Sequence, residues 1–496
     1  MNAGTSIERP ILGLLISFFL SRSLYRAALD PLRSLPGPQL ARFTRLWKLH
    51  SYWRGDFHKT NIELHKKYGP IVRIAPGEYS LSDPAAVKPI YGHGTAFIKS
   101  PYYDATRNPD APIADLFSER DPKAHAAFRK KVAGLYSMTS MLKIDDSMQE
   151  CIEVLLGKFE EFARTGEAVD LQRWLQCYTF DVMGAVTIAA RFGFLDAGED
   201  QFDLLHSSHA SLIYLTHVGI YPELHRALFA LVKRLGKNGM KGLFDASARQ
   251  IEAGRSGKLP GDRDGFLARM LRLHEADPAN FSYIDMLIIC ATNVAAGSDS
   301  TSIALTAILW YLIKSPSVME KVRREIKEKT LAGEISPSAR IPYLKGQSMP
   351  YLQAVIQEGM RLHPPAGIPL PRSVPKGGAE VCGIHFHEKT VLGMNPWVVH
   401  LNKDVFGEDA EVFRPERWLG DKEKVSNMEK HLLTFGAGAR GCLGKNIGMI
   451  ELSTLIPDLL RNFDFELVEK DAGLQTQNIF FVKQKDLRVH ITRREL

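Results

Sequence analysis

The sequence predicts a mainly α-helical chain with a small β region, folded as one large domain. Residues 145–275 place apolar side chains at steps of three and four, which is the spacing of helices with one buried face. Residues 283–314 are mostly apolar on all sides, as in a helix buried within a large core. Strand patterns are short and lie mainly in residues 71–82 and 381–397.

The composition is that of a globular protein and argues against several classes of function. The chain has 496 residues, 45% of them hydrophobic and 24% charged, and no linker-like tract follows residue 40. The net charge of +7 is spread along the chain without a basic stripe and interleaved aromatic residues, so we expect no nucleic-acid partner. Short basic runs are either solvated helix faces or a patch for an acidic electron-donor protein. Five cysteines without a CxxC pair indicate a reducing compartment.

The first 34 residues differ from the rest of the chain. Residues 11–20 form an apolar run of ten residues, followed by a basic amphipathic stretch that reaches Leu35. A full membrane span needs roughly 20 residues, and a signal peptide needs a cleavage site that does not follow clearly. We predict that residues 1–34 are a short membrane anchor extended by an interfacial segment, with a soluble tail as the alternative. The Pro-Gly-Pro bend after Leu35 separates this segment from the large domain, residues 35–496.

The predicted elements after the bend begin with a helix over residues 56–68 and a hairpin over residues 71–82. Residues 92–118 have little periodicity, and such a long irregular stretch is usually functional or mobile. His125 and Arg129 follow on a helix, where a separation of four places them on one face. By spacing alone, an exposed cation on a surface helix is the favoured explanation of this pair.

The middle of the long helix contains residues that weaken a buried helix. Gly297, Asp299 and Ser300 lie in the run Ala-Ala-Gly-Ser-Asp-Ser-Thr-Ser. Glycine destabilises a helix interior, Ser can bond back to a carbonyl, and a buried carboxylate is costly unless it is paired. Such violations are expected at functional sites. The run by itself equally fits a kinked core helix with a satisfied polar cluster.

A pair of charged residues lies on the predicted helix at residues 349–362. Glu358 and Arg361 are three positions apart, a pairing that is common on any helix and is weak as a motif. Arg417 lies in the later segment Phe-Arg-Pro-Glu-Arg-Trp, residues 413–418.

One cysteine lies in a glycine-rich loop, Phe-Gly-Ala-Gly-Ala-Arg-Gly-Cys-Leu-Gly, which begins at Phe435 and precedes a predicted helix at residues 445–460. We expect backbone N–H groups and the helix dipole to lower the pKa of the Cys442 thiol. A lone cysteine cannot form a zinc site, whereas haem iron takes a single Cys thiolate. A buried cysteine in an ordinary loop is the alternative.

This loop resembles the haem-binding loop of the cytochrome P-450 superfamily, with Phe, Gly, Arg, Cys and Gly at the family's spacing. The resemblance implies haem b (iron protoporphyrin IX) as the cofactor, with Cys442 as the axial ligand of the iron. It also implies partners for the haem propionates: Arg440, Arg372, His125 and Arg129.

The run in the long helix resembles the family's oxygen-activation motif. The resemblance implies that Ala296 and Gly297 leave room for O2 and that Asp299 relays protons. Ser300 stands where the family's first threonine is usual, so the hydroxyl is kept and the methyl group is lost. The resemblance also implies a structural charge network that locks the segment carrying the Cys loop: Glu358, Arg361 and Arg417.

The resemblance implies a mainly α cytochrome P-450 fold and a monooxygenase that inserts one atom of O2 into a hydrophobic small molecule. NADPH would supply the electrons through a partner reductase, with cytochrome b5 as a second candidate donor. The family's proline-rich hinge further implies membrane attachment at the endoplasmic reticulum, with the catalytic domain on the cytosolic side.

Details of the two motifs look similar to filamentous-fungal microsomal members, including the pisatin-demethylase-like group. Such members oxidise terpenoid, polyketide or alkaloid intermediates of secondary metabolism. Two alternatives are a haem-thiolate isomerase or dehydratase that does not use O2, and a non-catalytic haem protein. The first predicts a degraded Asp-Thr block, and the second needs no proton relay, whereas Asp299 and Ser300 are both able to hydrogen-bond.

Overall fold

The computed structural model describes most of the chain: residue 17 and residues 21–201, 203–235, 241–258, 265–471 and 473–495. The apolar run predicted to anchor the chain lies, apart from residue 17, outside these residues, and residues 21–28 are helical. Among the described residues, no single helix is both long and apolar enough for a membrane span. Only Tyr283–Lys314 and Pro316–Leu331 meet those criteria, and only as a pair bent by 107°.

Helices dominate the described chain, as the sequence predicts. The first half contains α1 Gln39–Phe43, α2 Leu46–Trp53, α3 Phe57–Tyr68, α4 Val87–Tyr91, α5 Pro122–Val132, α6 Met138–Met141, α7 Asp145–Thr165, α8 Leu171–Ile188, α9 Phe194–Ala197, α10 Leu204–Val218, α11 His225–Arg234 and α12 Lys241–Arg255. The second half contains α13 Phe266–Ala276, α14 Tyr283–Lys314, α15 Pro316–Leu331, α16 Tyr343–Gln347, α17 Pro350–Leu362, α18 Pro396–Val399, α19 Lys403–Phe406, α20 Lys422–His431 and α21 Lys445–Asn462.

The strands are short and, within the described part of the chain, form four separate sheets. They are β1 Ile71–Ala75, β2 Glu78–Leu81, β3 Ile98–Lys99, β4 Val169–Asp170, β5 Arg372–Ser373, β6 Ala379–Val381, β7 Ile384–Phe386, β8 Val391–Gly393, β9 Phe463–Leu467, β10 Gln475–Ile479, β11 Phe481–Lys485 and β12 Arg488–Arg493. The largest sheet has the order β1-β2-β8-β5-β3, and β4-β12-β9 form another, while β6-β7 and β10-β11 are hairpins. The predicted mainly α class with a small β region is therefore confirmed.

Local sequence explains where two of the important helices begin. Helix α14 begins at a capping box, in which Ser282 and Asp285 satisfy each other's backbone N–H groups. Helix α5 begins after Asp121, whose side chain accepts from the N–H groups of Lys123 and Ala124. These caps set the bounds of the two helices that carry predicted site residues.

Helix α14 lies at the centre of the fold. It packs against α8 along much of its length, and against α17, α21 and strand β11. Most of its side chains between Ile303 and Leu309 are completely buried. Site residues on α14 therefore face neighbouring elements or internal space.

Candidate active site

The Cys loop is a tight turn held by its own backbone. Gly436 and Gly438 take positive φ angles of 66° and 62°, a region that favours glycine. At Gly438, a Cβ would lie 1.9 Å from the carbonyl oxygen of Tyr91, so only glycine allows the loop to approach α4 this closely. The N–H of Cys442 donates to the Phe435 carbonyl at 2.8 Å, which closes the loop immediately before α21.

The Cys442 side chain has accessible surface. Burial among surrounding protein atoms nevertheless raises the pKa of its thiol. Hydrogen bonds from the N–H groups of Gly444 and Lys445, at the start of α21, act in the opposite direction, as does the charge of Arg129. The predicted N–H donors are present, but the prediction that the Cys442 pKa is lowered is wrong. Desolvation raises this pKa by more than the N–H donors and Arg129 lower it.

The predicted propionate partners converge around this loop. Arg129 donates to the Gly441 carbonyl at 2.8 Å, and Arg440 donates to the carbonyls of Glu119 and Arg120 at 2.5 and 3.2 Å. Arg372 is buried and donates to the Tyr103 hydroxyl at 3.3 Å.

Three elements therefore bring positive charge to one place: helix α5, strand β5 and the Cys loop. Burial, followed by Arg440, Lys99 and Arg129, lowers the pKa of His125 to about 3. Burial and Arg372 lower the pKa of Arg440 to about 10.

This donor set fits haem b. The cationic groups repel one another, and among the described residues none of His125, Arg129, Arg372 and Arg440 forms an ion pair with a carboxylate. A dianionic group placed between them would supply the missing countercharge. A cysteine sulfur with accessible surface lies on the same loop, which matches the needs of a haem iron held by one cysteine.

Helix α14 presents an accessible strip inside the molecule. Ala296 is exposed and Ser300 is partly exposed, although Val294, Ser298 and Asp299 beside them are buried. The Ser300 hydroxyl donates to the Ala296 carbonyl at 2.8 Å, one turn earlier. The exposed part of α14 therefore contains a small side chain, Ala296, whose carbonyl already accepts a hydrogen bond from Ser300.

Gly297 is partly exposed but also packs closely against helix α8. A Cβ there would lie 2.6 Å from the sulfur of Met183 on α8. The geometry favours Gly297 as the point of close approach between α14 and α8, whereas the resemblance assigned it to oxygen access together with Ala296.

Asp299 is fully buried and has three side-chain partners. Lys483 of β11 forms an ion pair with its Oδ1 at 2.8 Å, and Gln176 of α8 donates to the same oxygen at 2.7 Å. Ser208 of α10 donates to Oδ2 at 2.7 Å. We call Asp299, Lys483, Gln176 and Ser208 the Asp299 network.

The β10–β11 hairpin also reaches the roof of the internal space. Its tip residue, Phe480, is buried with φ at 81°, an uncommon conformation for a residue with a side chain. The Phe480 ring contacts the edge of Phe117, with centroids 5.7 Å apart, and Phe117 contacts Tyr103 at 5.3 Å. Aromatic side chains from the hairpin and from the irregular segment after β3 therefore form one apolar cluster. We call Phe480, Phe117 and Tyr103 the apolar roof.

The second charged cluster surrounds Glu358, which is completely buried. Arg361 bonds both of its carboxylate oxygens at 2.8 Å, and Arg417 donates to Oε1 at 2.9 Å. Trp418 Nε1 and the N–H of Arg414 each donate to the same carboxylate at 2.9 Å. We call these five residues the Glu358 network, and its two guanidinium groups also bond several backbone carbonyls.

His400 connects this network to the Cys loop. Its Nδ1 bonds the Arg361 carbonyl at 2.8 Å, and its Nε2 accepts from the N–H of Leu433 at 2.7 Å. Leu433 lies two residues before Phe435, where the loop begins. Burial lowers the pKa of His400 to about 3, so the imidazole is neutral and can accept this bond.

The structure brings the predicted residues into two groups, one around the Cys loop and one around Glu358, with Asp299 beside the internal space. The sequence did not indicate several of their partners, which come from distant elements: Lys99, Gln176, Ser208, His400 and Lys483. The sequence showed Trp418 only as the last residue of the segment 413–418, which gave no signal for its hydrogen bond to Glu358.

Comparison with known proteins identifies the class of protein that has this fold and site. Residues 35–490 match the cytochrome P-450 family. The chain therefore belongs to this family and is a cytochrome P-450 monooxygenase. Membership implies a haem-thiolate cofactor and, in general, a partner reductase.

Several curated relatives are similar to the chain over nearly its full length. A pisatin demethylase of Fusarium vanettenii is 35% identical, over 95% of this chain and 90% of the relative. The cytochrome P-450 monooxygenase hepC of Aspergillus oryzae is 34% identical, over 95% of both chains. The cytochrome P-450 monooxygenase pkfB of Emericella nidulans is 34% identical, over 99% of this chain and 97% of the relative.

Proposed function

We propose that this monooxygenase binds haem b through Cys442 and inserts one oxygen atom into a hydrophobic small molecule, an intermediate of fungal secondary metabolism. The observation that carries the proposal is the accessible sulfur of Cys442, on the loop where the guanidinium groups of Arg129, Arg372 and Arg440 converge. When bound, a haem iron with a thiolate ligand supplies the reductive activation of O2.

The side chains around the internal space then have separate tasks. Arg129, Arg372, Arg440 and His125 orient the cofactor through its propionates. The Ser300 hydroxyl donates to the Ala296 carbonyl at 2.8 Å. The accessible strip of α14, Ala296 and Ser300, therefore has no side chain larger than serine and leaves room above the helix. Asp299 holds and moves a proton at Oδ2, which accepts a hydrogen bond from the Ser208 hydroxyl at 2.7 Å.

The roof supports an apolar substrate. Phe117 and Phe480 meet edge to face, and Tyr103 packs beside them. Burial of an apolar ligand against such rings is the main favourable contribution to its binding. Relatives named as a pisatin demethylase and as fungal cytochrome P-450 monooxygenases agree with a small-molecule substrate of fungal metabolism. The choice of a terpenoid, polyketide or alkaloid rests on the resemblance of the two motifs to fungal microsomal members.

The electron supply and location are proposed from the family resemblance. NADPH reduces a partner reductase, which passes electrons to this chain, with cytochrome b5 as a second donor. Residues 1–34 attach the chain to the endoplasmic reticulum membrane, and residues 35–496 form the catalytic domain on the cytosolic side. The apolar run at residues 11–20 and the basic stretch after it support this attachment.

The test of the ligand is the reduced, CO-bound difference spectrum of the full chain. We expect the red-shifted Soret band of thiolate-ligated haem in the wild type and its loss in Cys442→Ala. Cys382→Ala is the matched control, because Cys382 lies in the β6–β7 turn and should keep the band. A normal thiolate band in Cys442→Ala would refute the assignment.

The test of the reaction uses membranes that contain the chain and a reductase, supplied with NADPH and ¹⁸O2. We expect NADPH consumption on substrate addition and one labelled oxygen atom in the product. Conversion of substrate without O2 or NADPH would instead indicate an isomerase or dehydratase, and binding without conversion would indicate a haem carrier.

A further inference from the structure

Lys99 is a buried cation that the reaction described above does not use. It ends strand β3, is 6% exposed, and is paired directly with Arg372 of β5 in the antiparallel register. Directly paired residues on neighbouring strands project from the same face of a sheet. Like charges in such a pair destabilise the sheet, so this arrangement needs a compensating partner.

No acidic side chain among the described residues provides that partner. Within the described part of the chain, neither Lys99 nor Arg372 forms an ion pair with a carboxylate. The Lys99 ammonium group instead donates to the carbonyl of Phe117. Burial, then Arg372 and Arg440, lowers the pKa of Lys99 well below its usual value, and only Asp115 acts against them. The charges of Lys99 and Arg440 in turn lower the pKa of His125.

Lys99 thus belongs to the same group of cations as Arg129, Arg372 and Arg440, none of which forms an ion pair with a carboxylate among the described residues. A buried cation without a counterion is costly, and four of them together are an environment for an anion with more than one negative charge. Haem b would bring two carboxylates to this place, and the role of Lys99 inferred below therefore rests on the proposed function.

We propose that Lys99 is a further propionate-binding residue and that it ties the roof of the substrate space to the cofactor. The tie consists of its contacts with the roof. The ammonium group lies 4.3 Å from the ring centroid of Phe117 and 4.4 Å from that of Tyr103, and it bonds the Phe117 carbonyl. Phe117 in turn contacts Phe480 at the tip of the hairpin.

The backbone strengthens the same connection. Arg120 Nε donates to the Lys99 carbonyl at 3.0 Å, and Arg120 also forms an ion pair with Asp104 at 2.9 Å. Arg120 therefore joins both ends of the segment between Asp104 and Arg120 to strand β3. A propionate that balances the charge of Lys99 would hold this segment more firmly when the cofactor is bound.

The experiment separates the charge of Lys99 from its hydrogen bond. Lys99→Gln keeps an N–H donor for the Phe117 carbonyl and removes the charge, whereas Lys99→Met removes both. Lys123→Met is the matched control, because Lys123 is an exposed lysine on α5. The rate of haem transfer from each full-length holoprotein to an excess of apomyoglobin is measured, together with proteolysis of residues 104–120.

We expect haem release to be about tenfold faster in Lys99→Gln and Lys99→Met than in the wild type, as for the loss of one charge-assisted hydrogen bond. Proteolysis of the roof segment should increase mainly in Lys99→Met. Lys123→Met should match the wild type in both measurements. Unchanged haem release in Lys99→Gln overturns the proposal, because a purely structural lysine needs only the hydrogen bond.

Failure to accumulate holoprotein also has a defined meaning. If both neutral variants lack haem and Lys99→Arg retains it, the charge is required and the proposal stands. If Lys99→Arg also lacks haem, the site needs the shape of lysine and the proposal fails. Absence of a thiolate band in the wild type would instead refute the proposed function itself.

Discussion

The Glu358 network and the Asp299 network each surround a completely buried carboxylate, but they are built differently. The partners of Glu358 lie on its own helix or within one segment, residues 414–418, and they include two guanidinium groups. The partners of Asp299 come from α8, α10 and β11, which lie 123, 91 and 184 positions away in the sequence.

The difference indicates which carboxylate is fixed and which can move. A guanidinium fork bonded to both carboxylate oxygens has few alternative arrangements, and both arginines also hold backbone carbonyls. Asp299 is held by single bonds from a lysine, an amide and a hydroxyl, each on a different element. Movement of any one of those elements changes its contacts, whereas the Glu358 network changes only if the segment unfolds.

The largest effect is expected when the carboxylate of the fixed network is removed. Glu358→Ala leaves two buried guanidinium groups without their anion and should cost about 3–5 kcal/mol. We expect little or no haem-containing protein, measured as haem per chain after purification. Glu416→Ala is the control, because its ion pair with Lys321 is largely exposed and should contribute no more than about 1 kcal/mol. Normal haem content in Glu358→Ala would contradict the locking role.

The Asp299 network should respond differently to removal of a partner. Lys483→Met leaves a buried carboxylate without its cation and should cost about 3 kcal/mol in the free energy of unfolding. The double variant Lys483→Met with Asp299→Asn removes both charges, so we expect it to recover most of that loss. Urea unfolding of the four proteins gives the coupling energy. Additive losses would show that the ion pair does not stabilise the fold.

The same four proteins test the proton role. Asp299→Asn should slow product formation while haem content and substrate binding stay near the wild-type values. Turnover that does not change would remove Asp299 from the proton path, even if the coupling energy is large.

A smaller effect is expected where α14 approaches α8, because the distance between these helices sets the Gln176–Asp299 bond. Gly297→Ala places a methyl group 2.6 Å from the Met183 sulfur, and overpacking of this kind costs about 1–3 kcal/mol. Thermal unfolding of the haem protein measures the cost. Gly157→Ala on α7 is the control, because a Cβ there meets nothing within 4 Å and should be neutral or stabilising. Equal stability of both variants would contradict the packing role.

The mildest perturbation is acid acting on His400, which links the fixed network to the Cys loop. The fold favours the neutral imidazole, so its folded-state pKa, about 3, lies below the ordinary value of 6.5. This contribution to stability is complete above pH 6.5 and is lost as the pH falls towards 3, at about 1.4 kcal/mol per pH unit. Unfolding measured from pH 7 to 4.5 should show a shallower decline in His400→Gln. Identical pH profiles would contradict this assignment.

The sequence predicted the Cys loop and the long helix because each has a local pattern. The network of Glu358, Arg361 and Arg417 followed only from the family resemblance, because a Glu–Arg pair three positions apart is common on any helix. The sequence did not predict the roles of Lys483 or Gln484. Val482, Lys483 and Gln484 are all buried in succession on β11, so the strand lacks the alternation of buried apolar and exposed polar residues that a sequence can reveal. Lys99 was missed for a similar reason, since β3 has two residues and its register with Arg372 depends on tertiary structure. Contacts between side chains on elements that are distant in the sequence produce no periodic pattern in a single sequence, so they cannot be predicted from it.

The β10–β11 hairpin has a practical consequence for protein engineering. Phe480 in the apolar roof and Lys483 on Asp299 are three positions apart on one hairpin, and its backbone is anchored to the Pro365 carbonyl and to the Gly55 carbonyl. A substitution at Phe480 that enlarges the pocket also changes the left-handed turn on which the position of Lys483 depends. Libraries that redesign substrate range at this tip therefore need to be screened for wasted NADPH as well as for new products.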